Sequence, residues 1–259
     1  DGLLDLLLPG LNDWNYAWLD GDTQFDQIKT HLYINRGIAS DGTVTFEEIP
    51  ESETGILPIY NGKTGGKGHN WVSVGDYNND GYVDIIMTGF DDCARPEHPE
   101  DAVRVVYLYK NINGERFELQ SSPLKGGGAF HGETDGSVCF SDLDGDGWLD
   151  IMSSGYGLSR NSELHIYWNN GNGTFTESDQ TFLGVNDSSC GICDLNNDGL
   201  PDLVVPGYYF NTKTKQFYFY KNLGDRKFEK VDVAILEGID GGQLSFGDVN
   251  QDGLTDILV

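Results

Sequence analysis

Apolar and polar residues alternate along this chain in short runs, and no segment sustains a helical period. The runs recur in a fixed order. An apolar stretch closes on glycine: Leu6-Leu7-Leu8-Pro9-Gly10, Ile85-Ile86-Met87-Thr88-Gly89, Ile151-Met152-Ser153-Ser154-Gly155 and Leu203-Val204-Val205-Pro206-Gly207. An aromatic stretch ending in asparagine follows: Leu32-Tyr33-Ile34-Asn35, Leu108-Tyr109-Lys110-Asn111, Ile166-Tyr167-Trp168-Asn169 and Phe219-Tyr220-Lys221-Asn222. A glycine-containing turn then leads to a strand centred on Phe46, Phe117, Phe175 or Phe228. The last strand alternates large and small residues, as in Val72-Ser73-Val74-Gly75 and Leu244-Ser245-Phe246-Gly247, which suits a crowded inner strand. Four antiparallel strands per repeat of about 50 residues predict an all-β chain built from propeller blades.

Each inner strand runs into an acidic nonapeptide. The four complete copies are Asp76 to Asp84, Asp142 to Asp150, Asp194 to Asp202 and Asp248 to Asp256. Position 1 is Asp76, Asp142, Asp194 or Asp248. Position 3 is Asn78, Asp144, Asn196 or Asn250, and position 5 is Asp80, Asp146, Asp198 or Asp252. Position 9 is Asp84, Asp150, Asp202 or Asp256. Oxygen side chains at these positions, a backbone carbonyl at position 7 (Tyr82, Trp148, Leu200, Leu254) and glycine at position 6 describe a loop around Ca²⁺, which takes six to eight oxygen ligands. One Asp-Gly turn would be only a turn; four copies with every donor position filled point to metal. An EF-hand needs glutamate at position 12, where this chain has Met87, Ser153, Val205 and Val259. By carboxylate count alone, the Asp142 loop is expected to bind most tightly.

These repeats resemble the FG-GAP and VCBS-type repeats of calcium-binding β-propellers, including the propeller of integrin α chains. The resemblance is carried by Val74-Gly75-Asp76 through Gly89, Phe140-Ser141-Asp142 through Gly155, Ile192-Cys193-Asp194 through Gly207, and Phe246-Gly247-Asp248 onward. It implies an extracellular or cell-surface scaffold for adhesion or carbohydrate contact, sometimes appended to an enzyme.

Asp1-Gly2-Leu3-Leu4-Asp5 aligns with positions 5 to 9 of the loop, so Asp1 and Asp5 are expected to be the remnant of a fifth site. The expected organisation is one propeller region over 1–259. It comprises a partial blade at 1–50, blades from about 71, 137 and 189, and a partial blade at 243–259. A segment of a longer, seven-bladed propeller accommodates this.

The formal charge of −26 makes nucleic acid an unsuitable partner, and no apolar run approaches the length of a membrane span. Aromatic content of 12% argues for a packed core rather than a solvated acidic chain. Cys190 and Cys193, three apart on a strand, face opposite ways and read as structural thiols together with Cys139. Asn172-Gly-Thr174 and Asn186-Asp-Ser188 fit the glycosylation sequon in expected loops. His31 and His165 align with Tyr107 and Tyr218 as strand packing positions, whereas His131 falls in a connection with no assignable partner.

Strand direction puts the acidic loops at one end of each blade and the unequal connections at the other, where binding surfaces usually lie. The longest connection carries Trp14, Tyr16 and Trp18, a candidate platform for a sugar or protein ligand. Carboxylates are too plentiful for a catalytic pair to be chosen. Three readings follow: a non-catalytic extracellular recognition scaffold, a polysaccharide-acting lyase or hydrolase or its accessory domain, and a self-associating structural module. A tight cluster of His with carboxylates at the end bearing the connections would favour the enzyme.

Overall fold

The computed structural model describes residues 5–11, 28–57, 71–91, 103–187, 189, 191–233, 238–239 and 242–259. Over these residues the chain is all-β, apart from one helical turn, α1 (Glu51–Thr54). Neighbouring strands pair antiparallel in chain order, so every sheet is a meander. The first sheet holds β1 (Leu6–Leu11), β2 (Ile28–Ile38) and β3 (Val44–Ile49). The second holds β4 (Trp71–Gly75), β5 (Asp84–Asp91), β6 (Val103–Ile112) and β7 (Arg116–Leu119). The third holds β8 (Glu133–Ser141), β9 (Asp150–Gly157), β10 (Ser162–Asn169) and β11 (Phe175–Glu177). The fourth holds β12 (Gly191–Cys193), β13 (Asp202–Tyr209), β14 (Thr214–Gly224) and β15 (Lys227–Val231). A two-stranded fifth sheet pairs β16 (Ser245–Gly247) with β17 (Asp256–Leu258). The second, third and fourth sheets have the four antiparallel strands expected of a blade.

The strands after the acidic loops are apolar because both their faces are covered. Residues 84–89, 150–155 and 202–207 are all buried, and register places Ile86 against Leu108, Met152 against Ile166 and Val204 against Phe219. Side chains of successive parity then fill successive boundaries between sheets. Tyr167 and Phe175 join Ile86 and Leu108 between the second and third sheets, while Ile166 and Trp168 join Leu203 and Tyr220 between the third and fourth. Full burial of a residue such as Phe175 contributes about 1.5–3 kcal/mol.

The inner strands use their alternation at the same boundaries. A Cβ on Gly75 would lie 2.6 Å from Leu149 Cδ1 and 3.3 Å from Phe140 Cδ2. Ser73 Oγ accepts from the Phe140 backbone N–H at 3.1 Å, and Ser189 Oγ accepts from Leu244 N–H at 2.9 Å. The small residues therefore admit the next sheet's large ones. Val74 on β4 is less enclosed than expected at 57% exposed, whereas Val138 on β8 is fully buried.

The aromatic strand also fixes the chain between sheets. Hydroxyls of Tyr109, Tyr167 and Tyr220 accept from the backbone N–H of Leu57, His131 and Leu183 at 3.2, 2.9 and 2.7 Å. Each tyrosine thus anchors the segment that leads into its own sheet. No helix among the described residues is long and apolar enough to cross a membrane.

Candidate functional site

The four acidic loops adopt one geometry, built by their own side chains. The position-1 carboxylate accepts from two backbone N–H groups: Asp76 Oδ1 from Asp80 at 3.1 Å and Oδ2 from Gly81 at 2.8 Å. Asp142 repeats this with Asp146 and Gly147, Asp194 with Asp198 and Gly199, and Asp248 with Asp252 and Gly253. The position-3 oxygen of Asn78, Asp144, Asn196 or Asn250 accepts from the position-5 N–H at 2.9–3.1 Å. The position-5 carboxylate of Asp80, Asp146, Asp198 or Asp252 accepts from the N–H of Tyr82, Trp148, Leu200 or Leu254. Successive backbone donors therefore turn the side-chain oxygens toward a common centre. In the third-sheet loop, ligand atoms of Asp142, Asp144 and Asp146 lie within 4.8 Å of one another.

Glycine at position 6 is required by backbone conformation. Gly81, Gly147, Gly199 and Gly253 all have φ between 84° and 89°, where a Cβ is strained. Position 4 carries the same demand, which sequence reasoning missed: Asn79, Gly145, Asn197 and Gln251 have φ of 54°, 75°, 57° and 64°. Asn and Gly tolerate that region, and their recurrence was the available signal.

Position 9 closes the loop from the buried strand. Asp84, Asp150 and Asp202 accept through one oxygen from the N–H of Tyr77, Leu143 and Leu195. The other oxygen accepts from Asn111, Asn169 and Asn222 at 2.7–2.8 Å. Burial pushes Asp84 up to about 6 and Asp150 up to about 7, in spite of these hydrogen bonds; nearby loop carboxylates add to the rise. Asp202 is raised for the same reason. Oxygen donors crowded beside a buried acid suit a hard divalent cation. Asp256 accepts from Val249 N–H at 2.9 Å, and Asp5 accepts from Asn35 N–H at 2.9 Å. Asp5 thus stands where position 9 is expected; Asp1 lies outside the described residues.

Position-7 side chains cover the glycine turns beside them. A Cβ on Gly114 would meet the Tyr82 ring at 3.5 Å, one on Gly171 would meet Trp148 at 3.1 Å, and one on Gly224 would meet Leu200 at 3.7 Å. Acidic loops and glycine turns therefore share one end of each sheet.

Each of three loops also has a basic partner that sequence reasoning did not assign. Lys110 Nζ lies 3.3 Å from Asp80 and Lys221 Nζ lies 3.5 Å from Asp198. The corresponding residue in the third sheet is Trp168. There Arg226, from the β14–β15 turn, lies over the Trp168 ring and pairs with Asp144 at 2.6 Å and Asp146 at 3.5 Å. The extra carboxylate of the Asp142 loop is thus matched by a guanidinium, which weakens the expectation that this loop binds most tightly.

Other expected sites separate. Asn172 is exposed and its carbonyl oxygen accepts from Thr174. Asn186 lies in the connection between β11 and β12, as expected, but it is 7% exposed, accepts from Ser162 Oγ and bridges its backbone to Tyr208, so its side chain faces the protein rather than solvent. Trp14, Tyr16 and Trp18 lie outside the described residues, as does Cys190. Cys193 is half-buried rather than fully buried, and burial pushes its thiol up to about 11, which keeps it protonated at neutral pH.

The histidine expectations need a larger correction. His31 and His165 occupy strand positions as foreseen, but both pair with glutamates, Glu48 and Glu177 respectively. His131, for which no partner was assignable, stacks on His165 with ring centroids 4.3 Å apart and lies 3.4 Å from Glu177. The pairing is tertiary, since β8, β10 and β11 must assemble before these residues meet.

The sequence profile of the family described as FG-GAP-like repeat matches residues 142–205 and again residues 194–259. Integrin alpha-7 of Rattus norvegicus is 33% identical over 141 residues, covering 48% of this chain, and integrin alpha-7 of Mus musculus matches to the same extent. The matched stretch spans 12% of the length of each integrin.

Proposed function

The chain carries FG-GAP-like repeats, and from that premise we propose that it is part of a calcium-stabilised β-propeller that recognises an extracellular ligand without catalysing a reaction. The observation that supports this reading most is the identical construction of four acidic loops at one end of successive sheets. In each loop, positions 1, 3, 5 and 9 supply side-chain oxygens and position 7 a carbonyl, with Asp5 contributing to a fifth. Calcium there joins the inner strand to the buried strand and offsets the mutual repulsion of the carboxylates.

The calcium loops are scaffold in this reading, and the connections at the opposite end carry recognition. Similarity to integrin alpha-7 supports an adhesion role at a cell surface or outside the cell, with a protein or a glycan as ligand. Each sheet is one blade, and the blades belong to a seven-bladed ring.

Thermal unfolding of metal-stripped protein during calcium titration tests the scaffold role. The melting temperature rises as calcium fills the loops, with dissociation constants of about 10⁻⁴ to 10⁻³ M expected of extracellular sites. A melting temperature indifferent to calcium would sink the proposal. Glycan and matrix-protein arrays probed with the chain, with and without Trp14, Tyr16 and Trp18 replaced by alanine, test where the ligand sits.

A polysaccharide-acting enzyme is the second reading, favoured by the His131–His165–glutamate cluster at the end away from the acidic loops. Release of shorter saccharides from a panel of polysaccharides would favour it over recognition alone.

A further inference from the structure

Asn-Gly pairs are chemically weak points of a polypeptide, because glycine leaves its nitrogen unshielded beside the preceding side-chain amide. Three such pairs fall among the described residues, Asn113-Gly114, Asn170-Gly171 and Asn172-Gly173, all in the glycine turns beside the acidic loops. Their hydrogen bonds separate them. Gly114 N–H donates to Asn111 Oδ1 at 2.8 Å, and Gly171 N–H donates to Asn169 Oδ1 at 2.9 Å. The Asn170 amide is held at both ends, donating to Thr174 Oγ1 and accepting from Thr176 Oγ1, each at 3.0 Å. Gly173 N–H donates no hydrogen bond among the described residues. Space differs in the same direction: a Cβ on Gly114 or Gly171 would meet the Tyr82 or Trp148 ring, whereas one on Gly173 would meet nothing within 4 Å.

We propose that Asn172 is a site of spontaneous deamidation, at which the protein converts an exposed asparagine into aspartate and isoaspartate. The Gly173 nitrogen, once its proton passes to a solvent base, attacks Asn172 Cγ. The Cγ–Nδ2 bond breaks and Nδ2 leaves as ammonia, taking a proton from water, to give a cyclic succinimide. Water then adds to either ring carbonyl and the adjoining bond to the Gly173 nitrogen breaks. That nitrogen regains its proton, and aspartate or isoaspartate results according to which carbonyl was attacked. The sum is one water consumed and one ammonia released, with no change of oxidation state.

The attack puts negative charge on Asn172 Oδ1, and the turn is already built to receive it. Oδ1 accepts from Thr174 N–H at 3.1 Å and from Thr174 Oγ1–H at 2.7 Å, two donors aimed at the atom that becomes an oxyanion. The β2–β3 hairpin shows what such donors do to an anion. There Asp41-Gly42-Thr43 forms the same turn, with Asp41 Oδ1 accepting from Thr43 N–H at 2.9 Å and from Thr43 Oγ1–H at 2.6 Å. The backbone closes both turns alike, through Ala39 N–H to Thr43 O at 2.8 Å and Asn170 N–H to Thr174 O at 2.9 Å. The Thr43 hydrogen bonds hold the Asp41 carboxyl below its usual range, so this pair of donors favours negative charge. Asp41 also shows that the turn keeps its form with the aspartate product in place. An N-linked glycan on Asn172 Nδ2 would block the reaction, which makes glycosylation and deamidation mutually exclusive fates of this residue.

Peptide mapping by mass spectrometry reads the reaction in unglycosylated protein aged at mildly alkaline pH, with fragmentation to resolve neighbouring residues. Labelling with an isoaspartyl methyltransferase detects the isoaspartate. Asn172 is expected to convert at least about ten-fold faster than Asn113 or Asn170, the factor that corresponds to one hydrogen bond broken first at each slower site. Thr174→Ala takes the hydroxyl from two amides at once, so it should slow Asn172 several-fold and speed Asn170. In urea the three turns are lost and the three rates should converge, which ties the difference to the fold rather than to local sequence. Equal rates at the three sites in folded protein, or a faster Asn113 or Asn170, would overturn the proposal. So would an Asn172 rate that Thr174→Ala leaves unchanged.

Discussion

The side-chain amide of Asn169 donates to the backbone carbonyl of Tyr77 at 2.8 Å, across the boundary between the third sheet and the acidic loop of the second. It also donates to Leu149 at 2.9 Å within its own sheet. Asn222 repeats the relationship one sheet on, donating to Leu143 at 2.7 Å and to Pro201 at 3.0 Å. The terminal asparagine of the aromatic strand is therefore a tie between neighbouring sheets, and both copies are 1% exposed.

Replacing Asn169 with Asp keeps its shape and removes both donations, leaving a carboxylate against two carbonyl oxygens. Each lost buried hydrogen bond costs about 1–3 kcal/mol. Urea unfolding should show the midpoint lowered accordingly, and an unchanged midpoint would contradict the tie.

Arg226 tempers the Asp142 loop from the next sheet. Its guanidinium holds Asp144, so Arg226→Gln frees a carboxylate for metal. Partly exposed pairs of this kind contribute about 0.2–1 kcal/mol, which corresponds to calcium binding tighter by up to about five-fold. Trp148 sits within the loop, making tryptophan fluorescence during calcium titration a suitable readout; equal affinity in both proteins would rule the tuning out.

Metal-free protein should lose stability as pH rises. Asp84 and Asp150 are raised by burial to about 6 and about 7, whereas an unfolded aspartate titrates near about 3.9. Between these values the folded chain holds protons that the unfolded chain has released, so its stability falls from about pH 4 to about pH 7. Calcium binds the ionised form, and its stabilisation should therefore be greater above pH 7 than near pH 5. Melting curves with and without calcium at both pH values check the sign.

Gln251 is the position-4 residue least suited to its backbone, with φ of 64° where two other loops have Asn and one has Gly. Gln251→Asn should stabilise the fifth-sheet loop by a few tenths to about 1 kcal/mol, a part of the left-handed penalty. Differential scanning calorimetry in calcium would register the rise, and a fall would refute the strain argument.

Much of the fold was legible because its signals are local. Ile85-Ile86-Met87 and Leu203-Val204-Val205 are apolar on both parities, which only a strand covered on two faces requires. Gly147 at position 6 and Asp142 at position 1 lie within a few residues of the groups they serve, so spacing alone identified the loop. His131 was opaque for the opposite reason: its stacking partner His165 is 34 positions away and on another strand. Asn186 misled because a sequon records neither burial nor the bond from Ser162.

The sequence by itself determined the four-stranded repeat, the acidic loops and the order of the sheets, since each follows from residue type at short spacing. The tertiary structure decided what happens where sheets meet. Arg226 reaches Asp144 over 82 positions, Asn169 reaches Tyr77 over 92, and Glu133 and Glu177 reach His165 from two other strands. Such contacts depend on how one sheet lies against the next, and that packing is set by many side chains at once rather than by any motif.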